Sequence, residues 1–135
     1  MSGRLPVVAP ARYASLMVSV HIRRLLFWSA ALFAFVMAVL PHPPELPGQP
    51  SDKIQHVAAF ATLGVLGAWA FARKPLLPLL AGLSLFGAII EVVQSIPSLH
   101  RDADVKDWIA DTLACGVVLA IAAWRRKAIR ERGAA

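Results

Sequence analysis

Residues 57–90 read VAAFATLGVLGAWAFARKPLLPLLAGLSLFGAII. Two uncharged runs, 57–72 and 75–90, are split by a single basic pair, Arg73 and Lys74. Neither run carries a polar stripe at helical spacing, which a helix of a soluble bundle would show on its wet face. Each run is about 16 residues, or roughly 24 Å of helix, slightly short of a comfortable bilayer span. Snorkelling side chains at the flanks and local thinning of the bilayer complete such spans.

Two more runs of the same kind flank this stretch. Residues 25–40 read LLFWSAALFAFVMAVL and end at the Pro-rich PHPPELPGQP of 41–50. Residues 108–124 read WIADTLACGVVLAIAAW, with one acid, Asp111, near the start. The third run can continue past Glu91 as far as Ile96. The composition agrees: 58% of the 135 residues are hydrophobic and 16% charged, against about 25% charged in soluble domains. The fold class expected is all-α, an integral membrane four-helix bundle. The lone cysteine, Cys115, excludes an internal disulfide and a cysteine-based zinc site.

Lys and Arg set the orientation. Eleven of them precede the first run, separate the second from the third, or follow the fourth; only Lys53, Arg101 and Lys106 lie on the other side. The positive-inside rule then places both termini in the cytoplasm. The resulting divisions are a basic N-terminal segment (1–24), a membrane domain (25–124) and a basic tail (125–135). The net charge of +6 is thereby a matter of topology, and no nucleic-acid motif accompanies it. The first run could also serve as the apolar core of a signal peptide, with Val36 and Ala38 framing a cleavage site. Its long basic lead, and the three spans that cleavage would leave, favour an uncleaved helix. Trp28, Trp69, Trp108 and Trp124 lie near run ends, suited to the interface or to the core. Gly64, Gly67, Gly82, Gly87 and Gly116 lie within runs, where small residues allow close helix approach.

Five of the eight acids fall in EVVQSIPSLHRDADVKDWIAD, residues 91–111. In this topology seven of the eight sit on or just beneath the outer face, and only Glu131 is cytoplasmic. A solvated outer loop accounts for Glu45, Asp102 and Asp104. It does not account for Glu91 and Asp111, which interrupt apolar helices; charged groups at membrane depth cost roughly 2.5–3.5 kcal/mol at a helix centre and turn toward partners inside. Spacing favours convergence. Asp52 and His56 are four apart, Glu91 and Gln94 three apart, and Asp104, Asp107 and Asp111 form one stripe. Composition and spacing leave two readings open, a structural ion-pair network and a functional site.

DKIQH (Asp52, Lys53, His56), EVVQ (Glu91, Gln94) and RDADVKDWIAD (Arg101, Asp104, Asp107, Asp111) together resemble the VanZ-like membrane proteins. In that family D-K-x-x-H opens one helix, E-x-x-Q ends the next, and R-x-x-D-x-x-D-x-x-x-N-x-x-G enters the last. The resemblance covers roughly residues 25–124. Asp111 stands where the family usually has Asn, adding a charge at depth. Ala114 stands where it usually has Gly, which bears on how closely the last helix packs. The resemblance implies a small bacterial inner-membrane protein of the cell envelope. The family's founding member is associated with resistance to teicoplanin, a lipid-tailed glycopeptide antibiotic.

These residues suggest a polar pocket open to the outer leaflet that binds or acts on an envelope lipid, a peptidoglycan precursor or a glycopeptide-related ligand. The candidate catalytic set is Asp52, His56, Glu91 and Asp107. His56 would carry protons near neutral pH, and partly desolvated Glu91 would serve as acid or base. The candidate binding set is Lys53, Gln94, Arg101 and Asp104, with Lys53 and Arg101 suited to a phosphate. The same four residues could bind a divalent cation, although sets of His and carboxylates hold no metal more often than they hold one. The alternative is a non-catalytic envelope accessory or partner-binding protein whose acidic cluster locks the bundle. A transporter is the weaker third reading, because the chain shows no internal repeat. Two structural expectations follow: Glu91 faces inward to meet Asp52, His56, Asp104 and Asp107, and the Pro-rich loop 41–50 has little order of its own.

Overall fold

The computed structural model describes residues 10–44, 48 and 50–134, with side chains described from Ser19 onward. Among these residues the chain forms four α-helices, α1 (Pro10–Val39), α2 (Asp52–Ala70), α3 (Leu76–Gln94) and α4 (Val105–Gly133), with a short 3-10 turn at Pro97–Leu99. Glu45 and part of the 41–50 loop, including Pro47, lie outside the described residues, and with them most of the expectation about that loop.

Local chemistry sets the helix ends. Pro10 opens α1, where its missing N–H costs nothing. Ser51 caps α2, its Oγ accepting from the Ile54 amide at 3.4 Å. Asp104 caps α4, accepting from the Lys106 amide at 2.9 Å. Pro75 precedes α3 and Pro78 falls in its first turn, where no intrahelical donor is lost. The turn between α3 and α4 closes at His100, whose φ of 51° is left-handed.

Two helices outrun the apolar segments that nucleate them. α1 takes in residues 10–24 ahead of the first run, and α4 continues through 125–133, the basic tail. Arg130 and Arg132 in the last turn of α4 suit the negative end of the helix dipole.

Ser19–Val39, Leu76–Gln94 and Val105–Gly133 are long and apolar enough to cross a membrane. α2 falls short of that measure because Asp52, Lys53, Gln55 and His56 occupy its first turn and a half. The burial pattern is the membrane one. Leu77, Leu85, Val92, Leu113, Val117 and Trp124 are exposed on the outside, while His56, Glu91, Gln94, Asp107 and Asp111 are buried. Water would penalise such a surface, and a bilayer rewards it.

α2 is the centre of the bundle, packed most extensively on α4 and also against α1. Gly64 makes the α2–α4 approach possible: a Cβ there would lie 3.2 Å from Val118 Cγ1. Gly87 does the same for α3, where a Cβ would meet Phe60 and Trp108 at 3.3 Å. Gly82 and Gly116 face open space. Phe27, Phe60, Leu63, Leu83, Ile90 and Cys115 form the apolar core. Of the tryptophans, Trp28, Trp69 and Trp124 are exposed, whereas Trp108 is drawn inward and its Nε1–H donates to the Ser84 carbonyl at 2.9 Å. At the basic end, Arg126 of α4 donates to the carbonyls of Lys74 at 2.9 Å and Ala68 at 2.8 Å. It thereby ties α4 to the turn between α2 and α3.

Candidate functional site

The acidic segments converge at the end of the bundle opposite Arg126. Ser51 starts α2 there, α3 ends there at Gln94, and the 97–104 segment feeds α4 back into the bundle. Four sets of side-chain contacts join these ends.

On α2, Asp52 pairs with Arg101: Nη2 of the guanidinium donates to Oδ1 at 3.0 Å and to Oδ2 at 3.2 Å. One residue on, Lys53 Nζ meets Asp107 Oδ1 at 2.7 Å and lies 3.9 Å from Asp104 Oδ2. The Asp107 contact is an ion pair rather than an aligned hydrogen bond, since that oxygen has no hydrogen-bond partner. Lys53 stands ahead of the apolar run that begins at Val57. Deeper in α2, His56 Nδ1 meets Asp111 Oδ2 at 3.0 Å. From α3, Glu91 Oε2 accepts the Asp104 backbone N–H at 2.8 Å.

Glu91 therefore faces inward, as its cost in lipid requires. Its hydrogen-bonded partner is an amide of the α4 entry rather than the side chain of Lys53, His56, Gln94 or Arg101. Gln94 reaches another way: its Nε2 donates to the Ala38 carbonyl at 3.0 Å. That bond satisfies a carbonyl left open at the end of α1 and ties α1 to α3. Among the eight candidates, Asp52, His56 and Arg101 share one opening, Lys53, Asp104, Asp107 and Glu91 form a neighbouring knot, and Gln94 is a tether.

Asp111 belongs with this set although it was not among the eight. Its side chain is 1% exposed, and its position four residues after Asp107 on an apolar helix was the signal for it. Besides Asp107 Oδ1, which faces Lys53, two carboxylate oxygens in the cluster, Glu91 Oε1 and Asp111 Oδ1, are buried without a hydrogen-bond partner. Each is an acceptor that a proton, a water or a ligand donor would satisfy.

The opening is a groove of about 420 Å³ between α1 and α2. Its walls are apolar, with Ala34, Met37, Ala58 and Leu63 among them, and Asp52, His56 and Arg101 line it too. Asp111 engages His56 through Nδ1, so Nε2 is the ring nitrogen outside that pair. A histidine held this way has the geometry of a general base. Among the described residues no three His, Cys, Asp or Glu side chains are grouped as a metal ion needs. Each of the four residues considered as donors to a divalent cation instead has another partner: Asp52 has Arg101, His56 has Asp111, Asp107 has Lys53 and Glu91 has an amide.

No protein-family model, curated protein or solved structure matches this chain. The functional reading accordingly rests on the groove and the charges at its end.

Proposed function

We propose that this chain is a VanZ-like protein of the bacterial inner membrane that binds an amphiphile of the cell envelope in the groove between α1 and α2. In this reading α2 spans the bilayer with the three more apolar helices. Both termini are cytoplasmic, and the acidic end of the bundle faces the outer leaflet. The observation that carries the proposal is the groove itself. Its apolar walls suit an alkyl chain, and Asp52, Arg101 and His56 supply polar contacts to a head group.

The test is lipid retention through purification. Ala58 is exposed and lines the groove, so Ala58→Trp fills it without disturbing the core. Wild-type protein and an outer-face control, Val117→Trp, should carry a bound amphiphile through mild detergent, visible by native mass spectrometry. Ala58→Trp should lose it. Equal retention in all three would count against the groove.

A second reading, that the cluster is a lock for the bundle, is favoured by the pairs Asp52–Arg101, Lys53–Asp107 and His56–Asp111, which join α2 to the α3–α4 connection and to α4. Charge-neutral substitutions separate the two. If Glu91→Gln and His56→Gln yield abundant, folded protein without bound amphiphile, the site reading gains; if the protein is lost from the membrane, the lock reading gains.

A further inference from the structure

The charges at the end of the groove define the head group it accepts. Arg101 and Asp52 are unequal partners: the Arg101 side chain is 14% exposed and that of Asp52 48%. The guanidinium is thus the more enclosed partner, and the carboxylate sits at the edge. Both contacts use one nitrogen, Nη2, so donors on Nη1 and Nε are outside this pair. A guanidinium in this state takes a phosphate readily.

A phosphate alone would meet an unfavourable field. Asp52, Glu91, Asp104, Asp107 and Asp111 bring five carboxylates to this end of the bundle, alongside Lys53, Arg101, Lys106 and His56. Lys53 is already engaged by Asp107. A purely anionic head on Arg101 would sit beside the Asp52 carboxylate that already holds that guanidinium, leaving two anions at one cation. One with a purely cationic head would face Arg101. A head carrying both charges answers both: its phosphate takes Arg101, its ammonium takes Asp52, and one ion pair within the protein is exchanged for two across the interface.

We infer that the occupant of the groove is a zwitterionic amphiphile whose head joins a phosphate to a primary amine, with its alkyl chain along α1 and α2. This rests on the amphiphile-binding reading above and narrows it to one chemical class. A primary amine is specified because its N–H groups donate to the Asp52 carboxylate, which a quaternary ammonium cannot do.

The experiment is a native mass-spectrometry titration of the delipidated full chain with phosphatidylethanolamine, phosphatidylcholine and phosphatidylglycerol of matched chains. Wild type should bind the ethanolamine lipid about tenfold more tightly than either of the others, the order of one charge-assisted hydrogen bond. Asp52→Asn should shrink the margin of ethanolamine over choline. Arg101→Gln should weaken all three lipids. A wild-type preference for phosphatidylglycerol, or no preference among the three, overturns the inference, and that ranking decides it even where a variant does not fold. Unchanged ranking in a folded Asp52→Asn together with unchanged affinity in a folded Arg101→Gln overturns it as well. Ala58→Trp separates the two levels of the argument. If it abolishes binding that shows no head-group preference, the groove stands and the head-group assignment falls. If it leaves binding intact, the groove reading itself falls.

Discussion

His56 of α2 and Asp111 of α4 meet at 3.0 Å inside the bundle, with 6% and 1% of their side-chain surfaces exposed. Fifty-five residues separate them in the chain, and the pair joins the two helices that contact each other most. Asp111→Ala would leave buried His56 without its Nδ1 partner. Breaking a buried pair from one side costs about 3–5 kcal/mol. Asp111→Asn keeps an acceptor for the ring and should cost less. Thermal unfolding in detergent should rank wild type above the Asn variant and the Asn variant above the Ala variant; an Ala variant as stable as wild type would show that the contact carries no stability.

Gln94 links the end of α3 to the end of α1 through the Ala38 carbonyl. Gln94→Leu fills a similar volume but leaves that carbonyl unanswered, at a cost of about 1–3 kcal/mol. Because α1 also packs on α2, the loss should be local. Hydrogen exchange should quicken around residues 36–44 and stay slow in the interior of α4. Uniform quickening across all helices would instead make Gln94 a global support.

Gly64 and Gly116 offer a matched comparison. A side chain at Gly64 runs into Val118 of α4, whereas one at Gly116 meets nothing within 4 Å. Gly64→Leu should therefore destabilise by about 1–3 kcal/mol through overpacking, and Gly116→Leu should be nearly silent. Equal effects on the unfolding midpoint would mean that α2 and α4 do not approach along this seam.

Topology is open to chemical labelling. In a Cys115→Ala background, a membrane-impermeant thiol reagent applied to intact cells should react with Ser98→Cys in the α3–α4 connection. It should not react with Ala134→Cys at the end of α4. Reaction at position 134 would reverse or redraw the proposed orientation.

The helical, membrane-seeking character of the chain was legible in residues 57–90 and their two flanking runs, because apolar length and the absence of a wet stripe are properties of the string itself. So was the inward orientation of Glu91, since the cost of a carboxylate in lipid does not depend on which partner it finds. Helix lengths were less legible. The basic segments 10–24 and 125–133 carry charge that weakens an apolar signal yet leaves helix propensity intact, so α1 and α4 run through them.

Partner choice belongs to the tertiary structure. Spacing brought Asp52, His56, Glu91, Gln94, Arg101, Asp104 and Asp107 to one end of the bundle, but it could not say that His56 would take Asp111, that Glu91 would take an amide, or that Gln94 would reach α1. Sequence determines which face of a helix a residue occupies and at what depth. Which atoms come within hydrogen-bonding distance depends on the rotation and approach of helices packed on Gly64 and Gly87, and that is settled only when the whole bundle closes.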